Sequence, residues 1–363
     1  MKILGIETSC DETAAAVIEA QKGDKTVKLL SNVVATSLPL HAKTGGVIPE
    51  VAAREQLKFM VPTLDEALKQ SRCKSTDIDA IAVTYGPGLI GSLLVGVETA
   101  KTLSYVWDKP LIPVNHLYGH IYANWLMADG LWQMENKNHS LSAIRYPHAI
   151  AFPAIALIVS GGHTDLVFMK QHGSIRWLGG TRDDAAGEAF DKIGRLLGLP
   201  YPAGAAIEKL AKSAESDSAK AYNFPKPMIG SNDFDFSFSG LKTAVMRTVQ
   251  SQTSQITPNS QTATDICASV QQAIIDVLVK KTLTAAKKYH AKSILLGGGV
   301  GANQTLRDQL KQSAISHKLS AEFFCPPKNL CTDNAAMIAA AAFFNYKEVP
   351  WQKITADPEL YFD

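Results

Sequence analysis

The chain has 363 residues, 46% hydrophobic and 19% charged, an ordinary globular composition long enough for two domains with substantial cores, so no exotic class is needed. A formal net charge of +2 neither demands nor excludes nucleic acid, so any RNA contact would have to come from local patches or from a partner. No run approaches the ~18 consecutive apolar residues of a membrane span, and Met1-Lys2-Ile3-Leu4-Gly5-Ile6-Glu7 is neither a signal-peptide core nor an Arg-rich transit segment. Five cysteines, with no C-x-x-C pair, suit a reducing compartment. The expectation is a cytoplasmic protein with no membrane partner.

Residues 2–37 read as three short strands. The polar turn Thr8-Ser9-Cys10-Asp11-Glu12-Thr13 joins Ile3–Glu7 to Ala14–Ile18, a hairpin with a chemically loaded tip. A helix from about Pro49 to Gln70 follows. Next come a strand at Ile78–Thr84, the loop Tyr85-Gly86-Pro87-Gly88 and a helix through Ser92–Trp107, the order of a nucleotide-binding βα unit. After the apolar run Pro110–Val114 stand His116 and His120, one helical turn apart, so that one metal ion could take both rings. A helical metalloprotease keeps its base glutamate directly after the first histidine; here that position is Leu117. The pair also fits a capped or packed helix start. Residues 128–150 lose periodicity and read as a connector.

The second half repeats the plan. Ala154–Ser160 reads as a strand, Gly161-Gly162-His163-Thr164 as a turn and Asp165–Met169 as the returning strand. Asp183–Gly198 is strongly helical, residues 251–263 read as a surface loop, and Asp265–Tyr289 is a second helix. Its Lys280, Lys281, Lys287 and Lys288 read as a solvated C-terminal face rather than an RNA stripe. Ser293–Leu296 then runs into Gly297-Gly298-Gly299-Val300-Gly301-Ala302-Asn303 and a helix to about His317, echoing the Tyr85–Gly88 junction. A duplicated βββαβα unit is the economical interpretation. The expected fold is α/β, with the duplicated, ribonuclease H-like two-lobe layout of the actin-like ATPases and a nucleotide cleft between the lobes. The expected N-terminal lobe is 1–127, completed by a C-terminal helix over 334–363; the C-terminal lobe is 128–333.

Several motifs occur together from end to end: Gly5–Thr13, Gly45–Glu50, His116–His120, Val159–Thr164, Asp184–Lys192, Phe236–Thr243 and Cys331–Asn334. With them the chain closely resembles the bacterial tRNA adenosine threonylcarbamoyltransferase family, once labelled O-sialoglycoprotein endopeptidase. The resemblance implies transfer of a threonylcarbamoyl group from threonylcarbamoyl-AMP to N6 of the adenosine that follows the anticodon, in tRNAs reading codons that begin with A. It further implies Asp333 as the third ligand beside His116 and His120, holding one divalent metal ion per subunit, iron in preference to zinc. It places donor contacts at Ile158, Val159, Ser160, Gly161, Gly162, Asp191, Gly204 and Asn303. It implies a smaller, inactive paralogue and an ATPase as partner subunits.

Read as residues, Ser160-Gly161-Gly162 is equally an anion nest of backbone N–H groups or a plain tight hairpin. Asn303 and Asp333 alone would be helix caps, and Asp191 a surface aspartate. The attacking amine must lose a proton, for which Asp11 and Glu12 at the first hairpin tip are the candidates. Ala203, Gly301 and Gln56 depart from the family, which commonly has glycine, serine and histidine there. The rival readings are an ATP-dependent small-molecule kinase of the same fold, a metallopeptidase, and a non-enzymatic actin-like scaffold.

Overall fold

The computed structural model describes residues 1–127, 150–215, 218–251, 257–258, 260–317 and 319–362. It divides into two compact units, Met1–Ala151 with Pro326–Asp363, and Phe152–Cys325.

The first unit is built on a sheet of order β5-β4-β1-β2-β3-β6. β1 (Lys2–Glu7), β2 (Glu12–Glu19) and β3 (Val27–Thr36) form an antiparallel meander. β4 (Ala80–Gly86) and β5 (Leu111–Asn115) add in parallel beside β1, and β6 (Leu126–Met127) closes the other edge. Alternation along β1 sends Leu4 and Ile6 into a core with Met60 and Leu64 of α2 (Pro49–Ser71) and Val97 of α3 (Ile90–Trp107). Gly5, between them, points the other way: a Cβ there would run into the Ala335 carbonyl and lie 3.1 Å from Ala339. Two further helices, α1 (Leu38–Thr44) and α4 (His116–Tyr122), complete the N-terminal part.

The second unit repeats the strand order. β7 (Ala154–Val159), β8 (Thr164–Gln171) and β9 (Ser174–Gly180) are antiparallel, with β10 (Ser293–Gly297) and β11 (Glu322–Phe324) parallel beside β7, giving β11-β10-β7-β8-β9. Its core joins Ile155, Leu157 and Leu296 of the sheet to Phe190 of α5 (Ala186–Leu196), Ile207 of α6 (Ala203–Ser213), Leu241 of α7 (Ser239–Ser251), Ile274 of α8 (Gln261–Lys288) and Leu306 of α9 (Gln304–Ser316). Helix α8 is long and apolar enough, by length and composition alone, to cross a membrane, but 78% of its most apolar window is buried inside the protein.

Several expectations needed correction. The last helix, α10, covers Ala335–Phe344 and not 334–363. Beyond it the chain lies along the first sheet, Val349 N–H donating to Leu111 O at 2.9 Å and Asp357 N–H to Tyr85 O at 2.7 Å. The compact units divide at Phe152 and Pro326, where the expected lobe boundaries were 128 and 334. Helix α5 starts at Ala186 and not Asp183, whose carboxylate instead accepts Ser237 Oγ, Phe238 N–H and Ser239 N–H. The Tyr85–Gly88 loop is filled by the chain itself. A Cβ on Gly86 would collide with the Asp357 carbonyl, so this glycine admits the C-terminal segment. The connector expected over 128–150 lies outside the described residues apart from Ile150, as do 252–256 and 259 of the loop expected over 251–263; Gln261 already begins α8.

Candidate metal centre and anion turn

Helix α4 opens where β5 ends. Asn115 caps it, its Oδ1 accepting the Leu117 N–H at 2.8 Å, and the helical spacing stacks His116 and His120 edge to face with ring centroids 4.6 Å apart. Asp333 precedes α10, whose own cap is Asn334, accepting the Met337 N–H at 3.0 Å. Asp333 Oδ1 lies 3.2 Å from His120 Nε2 and 3.6 Å from His116 Nε2. One donor atom from each of the three residues falls within a 4.8 Å spread.

The second nitrogen of His116 is held from behind. Its Nδ1 faces Glu7 Oε2 at 3.1 Å and Ser9 Oγ at 3.2 Å. Glu7 Oε2 also accepts the Thr84 hydroxyl, and Oε1 accepts the Ser9 N–H. This carboxylate–imidazole pair leaves Nε2 aimed at Asp333, the orientation that metal-ligating histidines take from a carboxylate. Burial alone would lower the His116 pKa, but the Glu7 and Asp333 carboxylates raise it to about 9. Burial likewise opposes ionisation of Glu7, and the neighbouring His116 outweighs it, holding the Glu7 carboxyl below its ordinary value.

The residues fit a divalent cation. His120 is fully buried, and among the described residues neither ring nitrogen makes a hydrogen bond, the Asp333 carboxylate being the nearest charge to Nε2; ligation would remove that cost. Around the pair the charge is acidic. Burial, then Asp333 and Asp11, push the Glu12 carboxyl well above its ordinary range, and burial with Asp11 and Asp333 pushes the Cys10 thiol up. Such crowded carboxylates are what a cation relieves. Two imidazoles and one carboxylate leave coordination positions open, as catalytic sites require.

The hairpin tip carrying Asp11 and Glu12 is pinned by Gln56. Its Nε2 lies 3.0 Å from both Cys10 O and Glu12 O and 3.3 Å from Thr8 O, from a side chain 1% exposed on α2. Sequence reasoning singled out Gln56 only as a departure and passed over Glu7, although an acidic residue ending an apolar strand was the available signal.

In the second unit Ser160 to His163 form the β7–β8 turn, with Ser160 N–H to His163 O at 2.8 Å and His163 N–H to Ser160 Oγ at 3.1 Å. Among the described residues no backbone acceptor takes the N–H of Gly161 or Gly162, and a Cβ on either would meet nothing within 4 Å. Ile158 and Val159 are buried in β7, leading into this turn. Gly187, in the first turn of α5, approaches it so closely that a Cβ would lie 2.5 Å from Ser160 O. Asp191, on α5, accepts the Ala203 N–H at 2.6 Å and so caps α6 beside Gly204; burial raises its pKa against that bond. Asn303 is engaged at both ends of its amide, Oδ1 capping α9 through Leu306 N–H at 3.0 Å and Nδ2 donating to Gln271 at 2.8 Å.

The strand order, repeated in both units, and a His-His-Asp cluster backed by Glu7 define a duplicated α/β protein of the actin-like plan with a transition-metal type of donor set. The family model for tRNA N6-adenosine threonylcarbamoyltransferase matches residues 28–134 and 137–340. A protein of that name from Moorella thermoacetica is 47% identical over 344 residues, spanning 95% of this chain and 92% of its own; one from Bacillus subtilis is 45% identical over 351 residues, 96% and 91%. The chain belongs to the tRNA N6-adenosine threonylcarbamoyltransferase family.

Proposed function

We propose that the chain transfers the threonylcarbamoyl group of threonylcarbamoyl-AMP to N6 of the adenosine 3′ to the anticodon in tRNAs reading codons that start with A. The observation that carries this reading is the match, over about 95% of the chain, to relatives named for that transfer. Neither rival enzyme gains support. Position 117, where a helical metallopeptidase needs its base, is a fully buried leucine, and the histidine–aspartate set suits a transition metal better than the magnesium of a kinase.

The reaction forms a bond from N6 to the carbamoyl carbon and breaks the bond from that carbon to the phosphate oxygen; AMP leaves and N6 gives up a proton. His116, His120 and Asp333 would hold one divalent ion, iron in preference to zinc, which when bound supplies Lewis-acid polarisation of the donor's oxygens. Glu7 fixes the His116 ring so that Nε2 and not Nδ1 is presented. Glu12, or Asp11 beside it, takes the N6 proton. What supports this assignment is position: Gln56 pins the hairpin tip that carries both carboxyls through the Cys10 and Glu12 carbonyls, and Glu12 lies close enough to Asp333 to feel its charge. In the second unit the Gly161 and Gly162 N–H groups cradle the donor's phosphate, Asp191 receives the ribose hydroxyls and Gly204 leaves room beside them. Asn303 contributes by holding the start of α9.

The smaller paralogue and the ATPase expected as partners find support in an apolar exposed face of the first unit. Leu57 and Val61 on α2 and Ile90 and Leu94 on α3 are all exposed, the two helices meeting where Gly91 approaches Ala53. Cys10, Cys73 and Cys267 carry free thiols, which agrees with the reducing cytoplasm where tRNA is modified.

The test is transfer of labelled threonylcarbamoyl to unmodified tRNA. His116→Ala and Asp333→Ala are expected to lower the rate by at least about a hundredfold, the scale of losing an electrostatic stabiliser at a reacting oxygen. Wild-type rates in both variants would remove the metal centre from the mechanism.

A further inference from the structure

Several cations of the second unit are paired with carboxylates. Arg182 binds Asp233 and Asp235, Lys192 binds Asp184 and Glu188, Lys212 binds Glu208, and Lys226 binds Asp276. Arg176 on β9 and Lys288 at the end of α8 behave differently. Both are exposed, and among the described residues neither has a carboxylate partner. Instead they converge on one ring. The Arg176 guanidinium lies 5.0 Å from the Tyr289 centroid and 5.3 Å from that of Phe168, and Lys288 Nζ lies 5.7 Å from Tyr289 and 5.2 Å from Phe234. The three rings form a continuous support, Tyr289 being 5.1 Å from Phe168 and 6.1 Å from Phe234.

Stacking on an aromatic face holds a guanidinium in place while leaving its N–H fork pointing outward, the arrangement suited to phosphate. Two cations held on one ring repel each other until an anion joins them. The rings themselves are half-buried or buried, so a nucleobase has no open face to stack on. The chemistry is that of a phosphate backbone and carries no sequence preference.

The ligand is not the donor's own phosphate. β8 starts at the Ser160–His163 turn with Thr164, and Phe168, paired with Arg176, lies four residues further along. At about 3.3 Å per residue that is roughly 13 Å from the turn, beyond the reach of one phosphate bound there. A polyanion can touch both places.

We propose that Arg176 and Lys288, mounted on the Phe168–Tyr289–Phe234 ring cluster, dock the sugar–phosphate backbone of the tRNA at a place separate from the donor turn. This rests on the tRNA-modifying reading above. The contact positions the substrate and leaves the chemistry to the first unit.

The experiment titrates the full-length chain against a fluorescently labelled unmodified tRNA at several salt concentrations, and separately against AMP. For Arg176→Gln/Lys288→Gln the expected result is a loss of tRNA affinity of roughly tenfold near ~0.1 M salt and a salt slope shallower by about 2, one for each lost phosphate contact. AMP affinity stays at the wild-type value, and Arg176→Lys retains most of the tRNA affinity. Docking is overturned if the double variant binds tRNA with unchanged affinity and slope, or if AMP binding falls in parallel, which marks general damage to the second unit. If wild-type chain binds AMP but no tRNA at any salt, the tRNA reading falls together with the docking site; if it binds tRNA and the variant matches it, only the docking site falls.

Discussion

Glu7 is buried at the end of β1, where an unpaired carboxylate would be costly; its oxygens are committed to Ser9, Thr84 and His116. Replacing it by glutamine keeps the shape but removes the charge that orients the imidazole. Glu7→Gln is expected to weaken binding of zinc or ferrous ion by roughly 10- to 100-fold in a direct titration, with the far-UV spectrum unchanged. Equal affinity would show that His116 needs no such support. Asp183 makes a different prediction. Burial raises its pKa, but the bonds from Ser237, Phe238 and Ser239 outweigh burial and hold it below the ordinary 3.8. The folded state therefore favours the charged form, and the stabilisation is present above about pH 4 and lost as pH falls through the depressed folded value. Wild type should exceed Asp183→Ala in urea midpoint at pH 7, the gap narrowing as pH is lowered below about 4; a gap independent of pH would refute the assignment. The histidine pair was legible because i and i+4 share a helical face. Glu7 was not, because Thr84 and His116 lie 77 and 109 residues away.

At the scale of elements, the placement of Asp333 depends on how closely α10 approaches the sheet. Its eight residues from Ala335 to Ala342 are buried, six of them alanine, and Gly5 on β1 lets the helix backbone come within contact of the strand. A side chain at position 5 must push α10 away and with it Asp333. Gly5→Val is expected to cost about 1–3 kcal/mol, read as a lower urea midpoint, and to lower metal affinity in the same preparation. A stable variant with wild-type metal binding would contradict this coupling. Helices α2, α3 and α9 and the first two hairpins were legible within a few residues, because apolar period and turn residues are local properties. The start of α5 was not, since Asp183 is drawn out of the helix by a loop 55 residues further on. Nor was the filling of the Tyr85–Gly88 loop by the C-terminal segment, whose residues carry no mark of that destination.

At the scale of the whole molecule, the two sheets share the order and pairing of five strands, the first adding β6 at its edge, but the chemistry has diverged between them. The first unit gathers histidines and carboxylates; the second offers open glycine amides. A ligand that binds only the folded state raises the unfolding free energy, by about 2.7 kcal/mol at a hundred times its Kd. Added zinc or ferrous ion is thus expected to raise the melting temperature of wild type and leave His120→Ala and Asp333→Ala unmoved, whereas AMP raises all three. A metal-induced shift that survives Asp333→Ala would place the ion elsewhere. The sequence by itself determined the duplication, the hairpin tips, the histidine pair and the family, since these rest on local spacing and on motif order along the chain. Only the tertiary structure decided that Asp333 comes within 3.2 Å of His120, that Glu7 stands behind His116, that Gln56 pins the acidic tip, and that two cations share the Tyr289 ring. Each of these is a meeting of residues far apart in the chain, and such meetings are set by how packed elements fit, which no window of sequence records.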